Sequence, residues 1–96
     1  MNKKEILIKK LTEIVEYIDT MNLIDIESKI YIVKYKQYIN QLICSIKENN
    51  LQSSEGRISI GLIRGISDYD EICSDEKLWG LLSNIEEYYR NECKQW

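Results

Sequence analysis

Apolar and polar positions follow each other along this chain with the period of an α-helix, and the first clear stretch covers residues 3–20. Its apolar side chains recur at steps of one, three or four residues: Leu7, Leu11, Ile14, Val15 and Ile18. This spacing places them on one face of an amphipathic helix. Asp25 follows at a position where its carboxylate is expected to cap the next helix.

A second and longer stripe covers residues 26–48. Its apolar positions step by three and four residues: Ile32, Tyr35, Ile39, Leu42 and Ile46. Isoleucine and tyrosine are only moderate helix formers, so packing against a partner must stabilise this helix. The spacing predicts a seam that packs against another helix at a shallow angle. Asn49 and Asn50 are expected to end the helix.

A third stripe covers residues 74–93. Its apolar positions again share one helical face: Leu78, Leu81, Leu82, Ile85, Tyr88 and Tyr89. At least one of the two adjacent tyrosines is expected to belong to the core. Ser74 is expected to start the helix, with Asp75 and Glu76 in its first turn, where the helix dipole favours anions. Gly80 costs roughly 1 kcal/mol relative to alanine inside a helix, so we expect another backbone to pass close to it.

The segment between the second and third stripes lacks a helical period. Residues 48–56 are rich in asparagine and serine and are expected to form a loop. Residues 57–65 contain two of the four glycines and predict either an extended connector or a short helical turn docked on the core, because one lone strand cannot make a sheet. Ser67 followed by Asp70 resembles a capping box and predicts a short helix over residues 67–73.

These elements predict an all-α fold, a three- to four-helix bundle with a glycine-marked irregular connector before the C-terminal helices. The 96 residues, 44% of them apolar, are enough for one modest core, so residues 1–96 are expected to form a single helical domain.

Charge is unevenly distributed along the chain, whose net charge is −3. Residues 1–54 hold eight Lys/Arg and seven Asp/Glu, whereas residues 55–96 hold five and nine. Binding of nucleic acid requires a basic face, so the balance argues against a nucleic-acid partner. An electrostatic attraction toward another protein is expected to come from the second half of the chain.

The three cysteines and the apolar runs bear on the compartment. Cys44, Cys73 and Cys93 are odd in number and far apart in sequence, which favours reduced, structural thiols over a disulfide framework. The apolar run near the start is broken at Lys9, so no signal peptide is expected, and no run approaches the ~18 residues of a membrane span. A cytoplasmic protein without membrane contact is the expectation.

Most catalytic templates are excluded by residue types. The chain has no histidine, which rules out Ser–His and Cys–His nucleophile pairs and histidine-bound metals. The acidic residues near position 70 do not have calcium-loop spacing, because Ile72 and Cys73 stand where oxygen ligands are needed. A carboxylate pair for glycoside hydrolysis would need a larger cleft than so short a bundle offers. We therefore expect no enzyme activity, no metal and no cofactor.

The stretch RGISDYDEICSDE, residues 64–76, is the most unusual part of the chain. It holds five carboxylates and one tyrosine, with no cation between Arg64 and Lys77. One interpretation is that these acids only cap two helices. The other is that they cap helices and also form a face for a basic protein, with tyrosine as a rigid contact residue. The candidate partner-binding residues are Asp68, Tyr69, Asp70, Glu71, Asp75 and Glu76.

Residues 61–89 combine a glycine-containing turn at Gly65, an acidic segment beginning Ser67-Asp68, and a leucine-rich terminal helix. In this combination the stretch resembles the C-terminal region of small helical immunity proteins from bacterial polymorphic-toxin and contact-dependent inhibition systems. The resemblance covers about a third of the chain. It implies a cytoplasmic protein that binds and blocks one cognate toxin domain, often a nuclease.

The leading hypothesis is therefore an immunity protein that neutralises a basic toxin domain through the acidic, tyrosine-bearing face. The alternative is a small structural or regulatory helical protein of phage or plasmid type. In that alternative the seam of residues 32, 35, 39, 42 and 46 is a homodimer interface instead of an internal core.

Overall fold

A computed structural model describes residues 2–51 and 60–94, and all regular secondary structure within them is α-helical. The chain is therefore all-α over the described residues. The five helices are α1 (Lys3–Ile18), α2 (Ile26–Lys47), α3 (Leu62–Ile66), α4 (Asp70–Cys73) and α5 (Glu76–Glu92). Residues 57–59 of the predicted connector and most of the predicted loop over residues 48–56 lie outside the described residues.

A side-chain oxygen caps the start of each long helix. Asn2 accepts a hydrogen bond from the amide of Glu5 at 2.8 Å, at the start of α1. Asp25 accepts one from the amide of Ser28 at 2.9 Å, as predicted for the start of α2. These bonds satisfy amide donors that have no partner inside the helix.

The end of α2 is also as predicted. Asn49 adopts a left-handed backbone with φ 60°. The Asn50 amide donates to the Ser45 carbonyl at 2.8 Å, and the Asn49 amide donates to Ile46 at 3.1 Å. This pair of bonds is a Schellman motif, in which asparagine tolerates the left-handed position better than most residues.

The three predicted stripes form one core, in which α1 contacts both α2 and α5. Four members of the α2 seam are buried, and Ile32 packs partly buried against them. Among the adjacent tyrosines of α5, Tyr89 is fully buried and Tyr88 is partly buried. The buried apolar side chains of the long helices are Leu7, Leu11, Ile14, Ile18, Tyr35, Ile39, Leu42, Ile46, Leu78, Leu82, Ile85 and Tyr89.

The α2 seam is buried within a single chain, so the prediction that this seam is a homodimer interface is wrong. Tyr35, Ile39 and Ile46 are each at most 2% exposed within a single chain. A homodimer cannot use side chains that are already packed against α1 and the connector of the same molecule.

Three tyrosines of α2 hold the segment that leads into α3. Tyr38 donates its hydroxyl to the carbonyl of Ile60 at 2.6 Å, and Tyr35 donates to Leu62 at 2.7 Å. Tyr31 donates to the carbonyl of Gly65. Because the three residues are spaced by four and three, their hydroxyls lie along one side of α2. We call this arrangement the tyrosine ladder.

Glu86 of α5 holds the same segment from the opposite side. Its buried carboxylate accepts hydrogen bonds from the amides of Leu62 at 2.9 Å and Ile60 at 3.3 Å. Both backbone groups of Ile60 and Leu62 are therefore bonded to side chains of long helices. A buried backbone without such partners would be strongly unfavourable, so these bonds allow an irregular segment to lie on the core.

Two predicted helix starts are wrong. Ser67 follows the end of α3, and its hydroxyl donates backward to the Arg64 carbonyl at 2.9 Å instead of capping a new helix. The following helix, α4, begins only at Asp70. Ser74 likewise terminates α4, and Asp75 caps α5 by accepting from the amide of Leu78 at 2.9 Å. At α5 the competing signal was Asp75, one residue after Ser74, whereas α4 begins after Tyr69 without a side-chain cap.

Gly80 does not mark a close backbone approach, so that prediction is wrong. No heavy atom lies within 4 Å of the position where its Cβ would be. The close approach occurs instead at Gly65, where a Cβ would lie 3.1 Å from Cε1 of Tyr35. The short helix α3, and not the final helix, needs a residue without a side chain at its contact with α2.

Two observations concern the expected compartment. Within residues 2–51 and 60–94, no helix is long and apolar enough to cross a membrane. The three cysteines are free: Cys93 is buried, Cys73 is partly buried and Cys44 is exposed. The expectation of buried structural thiols therefore holds for Cys93 and is wrong for Cys44.

Candidate partner-binding surface

The six predicted site residues lie in two places. Residues 68–71 comprise the end of the link between α3 and α4 and the first two residues of α4. They lie beside the start of α2, with which they line a common cleft. Asp75 and Glu76 lie at the start of α5 and do not line that cleft. The two groups therefore differ in their surroundings and in what their carboxylates contact.

Tyr69 is the centre of the first group. Its ring stacks on that of Tyr31, with centroids 4.0 Å apart and an angle of 9° between the planes. The hydroxyl of Tyr31 is fixed in turn by the carbonyl of Gly65. Partial burial raises the pKa of Tyr31 above its ordinary value, and the nearby Tyr69 and Asp68 add to the shift. The stacked pair presents a rigid aromatic surface.

Asp68 and Asp70 flank this stacked pair and point to solvent. Both residues are exposed, and neither side chain forms a hydrogen bond or ion pair with any described residue. Glu27, in the first turn of α2, is exposed and unpaired in the same sense. These three carboxylates are available to cations from outside the chain.

Glu71 has an internal role. Its carboxylate accepts hydrogen bonds from the amides of Ile24 and Asp25, the latter at 3.2 Å from both oxygens. It therefore ties α4 to the residues just before α2. Glu71 lines the cleft and contributes negative charge, but its oxygens are already accepting.

Asp75 is also engaged within the chain. Besides capping α5, its carboxylate accepts a hydrogen bond from the hydroxyl of Tyr17, with 2.8 Å between the two oxygens. This hydrogen bond is the largest cause of a raised pKa at Tyr17. Glu76 is exposed in the first turn of α5. Asp75 and Glu76 thus belong to the capped start of α5, and they do not line the cleft that contains Tyr69.

The cleft between α2 and the α3–α4 link has a volume of about 360 Å³. Five of its seven lining residues are carboxylates and none is a cation: Asp25, Glu27, Ser28, Asp68, Tyr69, Asp70 and Glu71. We call this opening the acidic cleft. Among the described residues, no group of three or more carboxylates and thiols converges closely enough to hold a metal ion.

An exposed apolar stripe lies on α2 next to the acidic cleft. Ile26, Ile30 and Val33 are 72%, 58% and 56% exposed, and their spacing of four and three puts them on one helical face. Ile24, just before the helix, is 83% exposed. Ile30 also lines an opening with Glu27 and Tyr69, so the stripe adjoins the acidic surface. We call these four residues the isoleucine stripe.

Sequence reasoning missed the residues that α2 contributes to this surface. Glu27, Tyr31 and the isoleucine stripe were not among the predicted site residues. The spacing of Tyr31, Tyr35 and Tyr38 was visible as a second face of α2, and Ile26, Ile30 and Val33 as a third. A helix with apolar residues on more than one face contacts more than one neighbour.

Comparison of the chain with protein-family models, with curated proteins and with solved structures found no match.

Proposed function

We propose that this chain is an immunity protein, which binds a cognate basic toxin domain and neutralises it without chemistry of its own. The proposed toxin domain is a nuclease, which binds phosphates through its cationic side chains. The observation that carries the proposal is the set of unpaired carboxylates Glu27, Asp68 and Asp70 around the stacked pair of Tyr31 and Tyr69. Carboxylates arranged in this way can pair with the cationic side chains of the toxin that otherwise bind phosphate.

The composition of the surface supports the proposal. Protein interfaces combine aromatic or aliphatic anchors with a polar rim, and the anchors contribute most of the binding energy. Here the stacked tyrosines and the adjoining isoleucine stripe supply apolar area, and the three free carboxylates supply charge. Charge of one sign accelerates association with a basic protein, while the apolar contacts slow dissociation.

The surroundings of the surface also support the proposal. Glu71 fixes α4 to the start of α2, and the tyrosine ladder fixes the connector along α2. A surface held in its binding conformation loses little entropy on association. We infer that the three long helices form the bundle that carries it, behind the glycine-marked connector, and that the protein acts in the cytoplasm.

The test uses the toxin domain encoded immediately upstream of this gene. We expect a complex with a dissociation constant of about 1 µM or tighter and loss of toxin activity in an equimolar mixture. Charge reversal by the double substitution Asp68→Lys and Asp70→Lys should lower the association rate by roughly tenfold at low salt. Stopped-flow fluorescence at several salt concentrations measures this rate.

A matched control separates local charge from net charge. Glu13→Lys with Glu16→Lys changes the net charge by the same amount on exposed positions of α1 and should leave most of the rate intact. Absence of a complex with the wild-type chain contradicts the proposal. A stable homodimer that Ile30→Glu dissociates, in sedimentation without toxin, would favour the alternative of a self-associating protein that uses the isoleucine stripe.

A further inference from the structure

Three adjoining openings form one groove along α2. The acidic cleft shares Glu27 and Tyr69 with an opening that also contacts Ile30, and this second opening shares Tyr31 and Lys34 with a third. The third opening lies over the connector, and its lining is Tyr31, Lys34, Tyr35, Tyr38, Gly61 and Gly65. We call the continuous depression the α2 groove. One of its walls is α2, and the other is the segment of residues 61–71.

The two ends of the α2 groove differ in chemistry. One end is the acidic cleft with its unpaired carboxylates. At the other end the tyrosine hydroxyls donate to backbone carbonyls, so the partly exposed rings of Tyr31 and Tyr38, and not their hydroxyls, are offered to a ligand. Lys34 lies between the two ends.

Glycine keeps the aromatic end open. Gly61 has φ 76°, a conformation that favours glycine, and a Cβ there would lie 3.5 Å from the hydroxyl of Tyr38. A Cβ at Gly65 would lie 3.1 Å from the Tyr35 ring. Because neither residue has a side chain, an opening of about 270 Å³ remains over Gly61 and Gly65, beside the tyrosine rings.

The length of the groove sets the size of its occupant. Eight residues separate Glu27 from Tyr35, which is about 12 Å along the helix axis. An extended peptide covers this distance in about four residues, at roughly 3.3 Å per residue.

We propose that the α2 groove binds one short extended segment of a partner protein, with Lys or Arg in the acidic cleft and an aromatic side chain over Gly61 and Gly65, about four residues apart. This inference rests on the proposed function and deepens it, because it specifies which part of the basic partner makes the central contact. Charge complementarity fixes the direction of the segment: its basic end faces residues 68–70. A second copy of this acidic chain would meet repulsion there.

The experiment uses two synthetic peptides of equal composition and charge, both acetylated and amidated. The first, Arg-Arg-Ser-Gly-Ser-Trp, has the proposed spacing between a basic residue and the aromatic one. The second, Ser-Arg-Trp-Arg-Gly-Ser, places both arginines directly beside the tryptophan. Each is titrated into the ¹⁵N-labelled protein, and amide shifts are followed by NMR.

We expect the first peptide to shift the amides of Gly61, Gly65, Asp68 and Asp70 with one common dissociation constant. The second peptide should bind at least about fivefold more weakly, since its arginine and tryptophan cannot reach the acidic cleft and the aromatic end of the groove together. Asp68→Asn with Asp70→Asn should weaken the first peptide by a similar factor, whereas Glu13→Gln with Glu16→Gln should not.

Equal binding of both peptides, or shifts confined to residues 68–70, would show general charge attraction and would overturn the groove assignment. Absence of any shift would overturn it as well. A toxin domain that binds while both peptides fail contradicts only this inference. Peptide binding as expected, together with failure of the toxin domain, contradicts only the immunity function.

Discussion

At the scale of single residues, two glycines inside helices have opposite surroundings. Gly65 is pressed against the buried ring of Tyr35, whereas Gly80 is exposed with no atom near its missing Cβ. Replacing each glycine by alanine therefore tests whether the cost of crowding the Tyr35 ring exceeds the gain in helix propensity.

Gly80→Ala should stabilise the protein by about 0.5–1 kcal/mol, because alanine is the better helix former and nothing obstructs it. Gly65→Ala should destabilise it by about 1 kcal/mol, since Tyr35 is fixed by its bond to Leu62 and cannot move away without cost. Urea denaturation followed by circular dichroism measures both. Stabilisation by both substitutions would mean that the Tyr35 ring moves away from a Cβ at position 65 at little energetic cost.

Single residues also show where sequence reasoning succeeds and fails. The stripes of the long helices and the cap at Asp25 were predictable, because each depends on neighbours within a few residues. Gly80 was misinterpreted because a glycine looks alike in sequence whether it faces a ring or solvent. The stacking of Tyr69 on Tyr31 joins residues far apart in the chain and leaves no local signal. The acidic half of the surface was therefore predictable, and the half from α2 was not.

At the scale of elements, side chains of the long helices α2 and α5 hold the segment of residues 60–65 on the core. The tyrosine ladder supplies donors from α2, and Glu86 supplies an acceptor from α5. Substitution at any of these side chains removes a hydrogen bond between a long helix and the backbone of this segment. The α2 groove should therefore lose its shape when the ladder is weakened.

Tyr35→Phe should lower the free energy of unfolding by about 1–2 kcal/mol, because the buried hydrogen bond from the Tyr35 hydroxyl to the carbonyl of Leu62 is lost. Tyr88→Phe is the matched control: its hydroxyl bonds no described residue, and we expect a change below about 0.5 kcal/mol. Chemical denaturation gives both values. Equal effects would indicate that the ring of Tyr35, and not its hydroxyl, makes the contribution.

At the scale of the whole molecule, several acidic groups share one response to pH. Burial raises the pKa of Cys93 to about 11 from 9.0, and it raises the pKa of Tyr35 further still. Tyr17 and Tyr31 also have raised pKa values, for which the causes are a bond to Asp75 and burial. In each case the unfolded chain loses its proton at lower pH than the folded chain does.

The contribution of these groups to stability should therefore be complete below about pH 9. It should be lost as the pH rises through 9 to 11 and beyond, because deprotonation favours the unfolded state. Denaturation midpoints at intervals from pH 7 to 11 measure the fall. Cys93→Ala should move its onset from about pH 9 toward pH 10, where only tyrosines contribute. An unchanged onset would show that Cys93 is accessible to water in the native state.

The tyrosine ladder has a further consequence for newly made chains. Its three hydrogen bonds join residues 34, 27 and 22 positions apart. The α2 groove cannot exist until the ribosome has released residues 60–71 and these have come together with the distant residues of α2. A partner that recognises the groove would thus recognise only molecules whose maturation is finished, and would pass over nascent ones.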